Sequence, residues 1–195
     1  MTSTTTPVRP GRAARRVPAE PEFWIFVFGD LSVFTAFFFV WAVTQRHHEA
    51  VFAAGHATLN QPIGVLNTAL LLASSAAVAT AVRAVRASQG VIARRAYLLA
   101  VGLGGGFLVG KAVEYTLHFT HGLESLRGPF FTDYFVFTGV HALHVFVGLV
   151  CLLVARAKAR NSDPVSGLMI HEAVATYWHM IDVVWVVLFS LIYLT

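Results

Sequence analysis

Four side chains that could do chemistry lie inside two long apolar stretches near the end of the chain. His141 and His144 are three residues apart, and His179 and Asp182 are three residues apart in the following stretch. Residues at this spacing are neighbours on a helix surface. Three histidines could supply three ligands to a metal ion that keeps an open fourth position. The alternative is a hydrogen-bonded buried polar network that holds the two stretches in register, because a buried imidazole needs partners for its donor and its acceptor.

Charged residues inside apolar stretches are the second set of candidates. Asp30 lies in the first third of the first stretch, roughly 10 Å below its start at the helical rise per residue. A carboxylate at that depth in a membrane is costly and faces protein or water, either as a structural acid or as a functional one. Lys111 and Glu114 are three residues apart. They can reach each other on a helix, which predicts an intramembrane ion pair.

These residues must be positioned by helices that cross a membrane. Of the 195 residues, 56% are hydrophobic and only 12% are charged, which excludes a disordered chain and argues against a soluble domain. The single cysteine excludes a disulfide framework and a thiolate zinc cage. Long, unbroken apolar stretches favour helices over the strands of a barrel. We predict an all-α membrane protein, a bundle of five transmembrane helices that run over Phe23–Thr44, Pro62–Val82, Ala96–Leu117, Phe131–Ala155 and Glu172–Leu194.

Basic residues alternate between the two sides of the predicted membrane. The tail before the first helix holds four, the second loop four and the fourth loop three, whereas the first and third loops hold one each. Cytoplasmic segments carry the excess of Lys and Arg, so the N-terminus is predicted in the cytoplasm and the C-terminus outside. A basic patch for nucleic acid would not alternate in this way. Residues 1–21 are interpreted as a disordered basic cytosolic tail and residues 22–195 as the transmembrane domain.

Small residues predict where helices approach each other closely. Gly102, Gly106 and Gly110 follow one another at four-residue spacing, which predicts a flat strip on the third helix for a neighbouring helix. Asn67 belongs to the small, weakly polar surface of the second helix and is expected in the same kind of packing. No strand precedes the three glycines, so they are not a nucleotide-binding fingerprint.

Two functions other than a scaffold remain open from the residues alone. His141, His144 and His179 could form the centre of a self-contained metal-dependent membrane enzyme. A small transporter would use the intramembrane charges. Against a transporter, no span is broken at mid-depth by Gly or Pro, and no two halves of the chain repeat. The chain also has no nucleophile elbow and no paired-cysteine motif.

Five segments, in order over about residues 22–194, together resemble subunit III of the haem–copper cytochrome c oxidase family. The two most specific are TGVHALHV at residues 138–145 and YWHMIDVVW at residues 177–185. The supporting segments are GDLSVFTAFFF at residues 29–39, LNTALLLAS at residues 66–74 and the Glu-Tyr pair at residues 114–115.

The resemblance implies a non-catalytic accessory subunit of a respiratory oxidoreductase complex. Subunit III of this family packs beside the catalytic membrane subunit, binds phospholipid in its cleft, and supports proton uptake near a buried acid, here Asp30. By this implication the histidines are structural and the chain itself binds no metal. Haem, with copper or non-haem iron, is expected in the partner subunit. The expected location is the plasma membrane of a bacterium, with several membrane passes.

The chain departs from the larger family members in two respects. Counterparts of their first two helices are missing, which leaves five spans. Asp30 stands at the position of their buried glutamate. Both features resemble the short branch of the family, accessory proteins associated with nitric oxide reductase. A terminal oxidase that reduces oxygen and a nitric oxide reductase of denitrification are therefore both expected partners.

Overall fold

The computed structural model describes residues 21–120, 128–159 and 166–194, and all elements within these ranges are helical. The six α-helices and the closing π-helix are α1 (Pro21–His47), α2 (Glu49–Thr58), α3 (Gln61–Arg86), α4 (Gly90–Thr120), α5 (Pro129–Lys158), α6 (Ser166–Phe189) and the π-helix Ser190–Leu194, which continues α6 without a break. The predicted tail over residues 1–21 lies outside the described residues, except for Pro21.

Five of these helices are long and apolar enough to cross a membrane. The spans contain 26, 26, 31, 30 and 27 residues and belong to α1, α3, α4, α5 and α6 with its π-helix. The shortest corresponds to about 39 Å of helix, more than the hydrocarbon thickness of a bilayer. The prediction of an all-helical protein with five spans is therefore confirmed. The short helix α2 was not predicted, since ten residues between two spans have no apolar stretch of spanning length.

Local sequence signals account for several helix ends. The side chain of Asn60 accepts a hydrogen bond from the Ile63 backbone N–H at 3.3 Å, and Pro62 occupies the first turn of α3. The helix α5 begins with Pro129 after Gly128, whose φ of 154° is one that side-chain-bearing residues rarely adopt. Short connections between such ends produce antiparallel neighbours.

The bundle is built around α3, α4, α5 and α6, with α3 and α4 making the most extensive pairing. The α6 span is the most buried of the five and the α1 span the least. Large apolar side chains of α1, among them Ile25 (74% exposed) and Phe39 (71% exposed), point away from the core. Such a surface suits hydrocarbon, so α1 lies at the periphery of the chain and α6 near its centre.

The glycines of α4 pack differently from the predicted strip. Gly106 and Gly110 face α3, where a Cβ atom would meet the side chains of Leu70 and Asn67. Gly102 has nothing within 4 Å of its Cβ position, so the prediction that it packs against a neighbouring helix is wrong. Four residues turn a helix by about 400°, so each step of the strip drifts by about 40° and its far end leaves the interface.

Candidate functional site

The first polar contact inside the bundle joins α1 to α5 through Asp30 and His144. Nε2 of His144 lies 3.1 Å from Oδ1 of Asp30, and Nδ1 lies 2.7 Å from the carbonyl oxygen of Val140. A carbonyl only accepts, so Nδ1 carries a hydrogen and donates it. The contact at Nε2 then requires one further proton, held either by the imidazole or by the carboxyl group. The two side chains therefore share one proton within the membrane-spanning part of the bundle. The Asp30 side chain is 12% exposed and the His144 side chain 22%.

The second polar contact joins α3 to α6 through Ser75. Its hydroxyl oxygen lies 2.9 Å from Nδ1 of His179. A hydroxyl can donate to or accept from an imidazole nitrogen, so this contact links the two helices whichever nitrogen carries the proton. Asp182, one turn further along α6, is buried, and its Oδ1 has no hydrogen-bond partner among the described residues.

His141 stands apart from both contacts. It is fully buried, and neither ring nitrogen has a hydrogen-bond partner among the described residues. The ring of Trp185 lies 5.1 Å from it, that of Phe107 5.6 Å and that of Phe34 6.4 Å, between centroids. An aromatic enclosure of this kind suits an apolar packing role for the imidazole.

The predicted network of His141, His144, His179 and Asp182 is therefore divided among three places. His144 reaches α1, whereas His179 reaches α3. Asp182 is buried with its Oδ1 unpartnered among the described residues. The helix period correctly groups residues by face, but it does not tell which neighbour that face meets. No group of three or more histidine, cysteine or carboxylate side chains able to hold a metal ion occurs within residues 21–120, 128–159 and 166–194. The three-histidine metal centre considered from the sequence is not assembled by these side chains.

Lys111 and Glu114 form a closed charged cluster with two tyrosines. Nζ of Lys111 lies 2.9 Å from Oε2 of Glu114 and 3.1 Å from the hydroxyl oxygens of Tyr134 and Tyr193. The Tyr193 hydroxyl donates to the other carboxylate oxygen, Oε1 of Glu114. The two charged side chains are each only 2% exposed. All three ammonium hydrogens thus have acceptors, which is what a buried ion pair requires.

The tyrosines of this cluster come from distant parts of the sequence. Tyr134 belongs to α5, and Tyr193 belongs to the π-helix that ends the described chain. The backbone carbonyl of Ile192 accepts from Nδ1 of His56 at 2.7 Å, and that of Tyr193 accepts from Nε2 of Gln61 at 2.8 Å. These bonds fix the last turn and hold Tyr193 over Glu114. No sequence signal distinguishes these tyrosines from the other aromatic residues of the spans.

Two glycines of α4 and α5 make room for Trp178, which belongs to the YWHMIDVVW segment of α6. A Cβ atom on Gly148 of α5 would lie 2.8 Å from the Trp178 ring, and one on Gly104 of α4 would lie 2.7 Å from it. Trp178 is 1% exposed. The Trp178 ring therefore fits between α4 and α5 only because Gly104 and Gly148 have no side chains.

Asn67 is the remaining predicted residue. It is fully buried in α3 against Gly110 of α4, in agreement with a packing position. Neither its amide nitrogen nor its amide oxygen has a hydrogen-bond partner in the described part of the chain. It does not join the Lys111 cluster by any hydrogen bond between described side chains.

Comparison with known proteins gives one family. The family model described as cytochrome c oxidase subunit III matches residues 21–195. Cytochrome c oxidase subunit 3 of Corynebacterium diphtheriae is 33% identical over 140 residues, which cover 69% of this chain and 66% of that protein. Subunit 3 of the cytochrome c oxidase of Lumbricus terrestris is 33% identical over 172 residues, 88% of this chain and 62% of that protein.

A relative of a different oxidase type is also similar. Subunit 3 of the cytochrome bo(3) ubiquinol oxidase of Pseudomonas aeruginosa is 29% identical over 181 residues, which cover 88% of this chain and 82% of that protein. The matches to the Corynebacterium and Lumbricus proteins cover slightly less than two thirds of their lengths. Since the family model matches the whole described bundle, this chain belongs to the cytochrome c oxidase subunit III family.

Proposed function

We propose that this chain is a non-catalytic accessory subunit of a haem–copper-type respiratory terminal oxidase, docked beside the catalytic membrane subunit and supporting aerobic electron transport. The observation that carries the proposal is the family match over residues 21–195. Relatives named as subunit 3 of a cytochrome c oxidase and of a ubiquinol oxidase support it. Intramembrane charged side chains pair with one another, Lys111 with Glu114 and Asp30 with His144. Such pairing agrees with a structural role for this chain within a larger complex.

The partner is expected to hold the redox cofactors. Haem, with copper or non-haem iron, belongs to the catalytic subunit in this proposal, and phospholipid is expected at the surface of the accessory chain. Purification of the tagged chain from its own membranes in a mild detergent tests the assignment. A visible haem spectrum and a co-eluting large membrane subunit are expected. A chain that elutes alone, without haem, contradicts the proposal.

The proposed orientation places the N-terminus in the cytoplasm and the C-terminus outside, in a multi-pass protein of a bacterial plasma membrane. The positive-inside bias supports it. At the end of the bundle that carries the second loop, Arg86 at the end of α3 binds Glu172 of α6 at 2.8 Å. Labelling of single cysteines placed at Gln89 and at Asn60 in intact cells tests the orientation. Only the cysteine at position 60 is expected to react with an impermeant reagent.

The Asp30–His144 pair is the proposed point of support for proton uptake. The pair shares a single proton, and both side chains are partly exposed at the surface of the bundle. A proton-holding pair at such a surface suits a place beside a proton entry path of the partner. In this role the pair would act on the rate of proton uptake by the catalytic subunit, without itself taking part in oxygen chemistry.

The second candidate is an accessory subunit of nitric oxide reductase. Asp30 favours it, because the shorter acid resembles the branch of the family associated with that enzyme. The purified complex decides between the candidates. Consumption of oxygen is expected for the terminal oxidase, and consumption of nitric oxide with little oxygen uptake for the reductase.

A further inference from the structure

A groove of about 610 Å³ runs along the outside of the bundle between α3 and α6. Its floor contains small side chains, Ala76 and Ala79 from α3 and Ala175 from α6. Small residues on a transmembrane helix pair allow a further helix to approach with its backbone close. The shape of the groove therefore suits a helix that carries bulky apolar side chains on the facing side.

The groove contains an imidazole at a depth where lipid tails would surround it. His179 lines the groove and lies seven residues after Glu172, which is roughly 10 Å along α6. Its only hydrogen bond within the described chain is the one from Nδ1 to Ser75. Ionisable residues within transmembrane segments face protein or a water-filled cavity, because hydrocarbon offers no hydrogen-bond partner. The second ring nitrogen of His179 therefore requires a partner from outside the described residues.

Much of the outward surface of α4 and α5 differs from the groove in this respect. Exposed side chains of α4 and α5, such as Leu99, Val109 and Leu143, are apolar. The exposed hydroxyls of Ser32 and Thr116 are satisfied by carbonyl groups one turn earlier in their own helices. These faces suit lipid, whereas the α3–α6 groove suits protein.

The charge at one end of the groove points to the chemistry of the occupant. Arg86 is paired with Glu172 at 2.8 Å. Arg83 is exposed and bonds only the hydroxyl of Thr80 at 3.1 Å, with no acidic partner among the described residues. A helix that fills the groove can neutralise this guanidinium with a carboxylate at its own end.

We propose that the α3–α6 groove is the docking surface for a transmembrane helix of the catalytic subunit. That helix places bulky apolar side chains over Ala76 and Ala79, a hydrogen-bonding side chain opposite His179, and an acidic residue beside Arg83. The inference rests on the proposed function and deepens it, because it states which face of the accessory chain the partner covers.

The complex purified in mild detergent tests the groove through two matched pairs of variants. Ala76→Phe fills the groove, and Ala112→Phe places the same side chain on the exposed face of α4. Ala76→Phe is expected to lower the haem subunit recovered per tagged chain by about tenfold, which corresponds to about 1.4 kcal/mol. Ala112→Phe is expected to leave the recovery unchanged. Equal recovery from both variants overturns the proposal.

The second pair tests charge. Both Arg83 and Arg95 are exposed at the basic end of the bundle. Arg83→Glu is expected to lower recovery of the haem subunit severalfold, whereas Arg95→Glu keeps it. The control is the melting temperature: a value equal to that of the unmodified chain shows that each variant keeps the fold. Loss of recovery in both variants to the same degree assigns the effect to net charge and contradicts the docking site.

Photo-crosslinking identifies the occupant directly. A photoreactive phenylalanine analogue at position 79 is expected to link this chain to the large membrane subunit. A crosslink to phospholipid alone would make the groove a lipid site and overturn the inference. Failure of the unmodified chain to recover any haem subunit contradicts the proposed function itself. Recovery of the haem subunit that is insensitive to the groove variants contradicts only the docking surface.

Discussion

Nε2 of His144 lies 3.1 Å from Oδ1 of Asp30, which ties the peripheral helix α1 to α5 inside the membrane. Since Nδ1 of His144 donates to the Val140 carbonyl, the contact holds a single shared proton. The other carboxyl oxygen of Asp30 is buried without a hydrogen-bond partner in the described chain. Asp30 therefore links α1 to α5, and a substitution can separate this structural contact from the proposed support of proton uptake.

Replacing Asp30 by Asn separates these two roles. The amide can still donate a hydrogen bond to His144, but it holds no exchangeable acidic proton. We expect the complex to assemble and both its turnover and its proton uptake to fall severalfold. Glu22→Gln, a change of an exposed acid at the start of the same helix, is the control. Normal turnover and proton uptake in an assembled Asp30→Asn complex would leave the acid with a structural role alone.

Removing only one charge of the Lys111–Glu114 pair should lower the free energy of unfolding of the chain. Lys111→Met leaves a buried carboxylate with tyrosine hydroxyls only, and breaking such a pair typically costs about 3–5 kcal/mol. The double variant Lys111→Met, Glu114→Leu has no unpaired charge and should recover most of the loss. Unfolding of the three variants and the parent chain in detergent measures the cycle. Losses in the double variant equal to the sum of the single losses would show that the two charges do not interact.

Ser75 is expected to contribute to the stability of the chain through its hydrogen bond to α6. Ser75→Ala removes the hydroxyl that is hydrogen-bonded to Nδ1 of His179, and leaves that ring nitrogen of α6 without its partner. We expect a loss of about 1–3 kcal/mol in the free energy of unfolding. Ser32→Ala is the matched control, because the Ser32 hydroxyl bonds only a carbonyl of its own helix on an exposed face. Equal melting temperatures for the two variants would contradict a stabilising role of the Ser75–His179 hydrogen bond.

Two glycines of α4 provide a test of packing with identical chemistry. A methyl group on Gly104 would lie 2.7 Å from the Trp178 ring, whereas one on Gly102 meets nothing within 4 Å. Gly104→Ala is therefore expected to destabilise the chain by about 1–3 kcal/mol through overpacking. Gly102→Ala should be neutral or stabilising by up to about 1 kcal/mol, since alanine favours helix over glycine. Thermal unfolding of both variants measures which of them is more stable. A Gly104→Ala variant more stable than Gly102→Ala would be inconsistent with the observed contact.

The sequence by itself determined the class of protein, the five spans and the family. Whether a segment can enter lipid depends on the polarity of its own residues and on its length, and both are local properties. The proximity of Lys111 and Glu114 is local in the same sense, because a three-residue spacing brings side chains together on any helix. The family followed from short motifs, which the match over residues 21–195 confirmed.

Only the tertiary structure decided which polar groups meet. The spacing of His144, His179 and Asp182 placed each on a helix face, but the partners of those faces, Asp30 and Ser75, depend on how each helix is rotated about its axis in the bundle. Tyr193 reaches Glu114 from 79 residues away, through the π-helix that ends α6. Such contacts arise from the crossing of helices far apart in the chain, because helix periodicity fixes a face and packing chooses its neighbour.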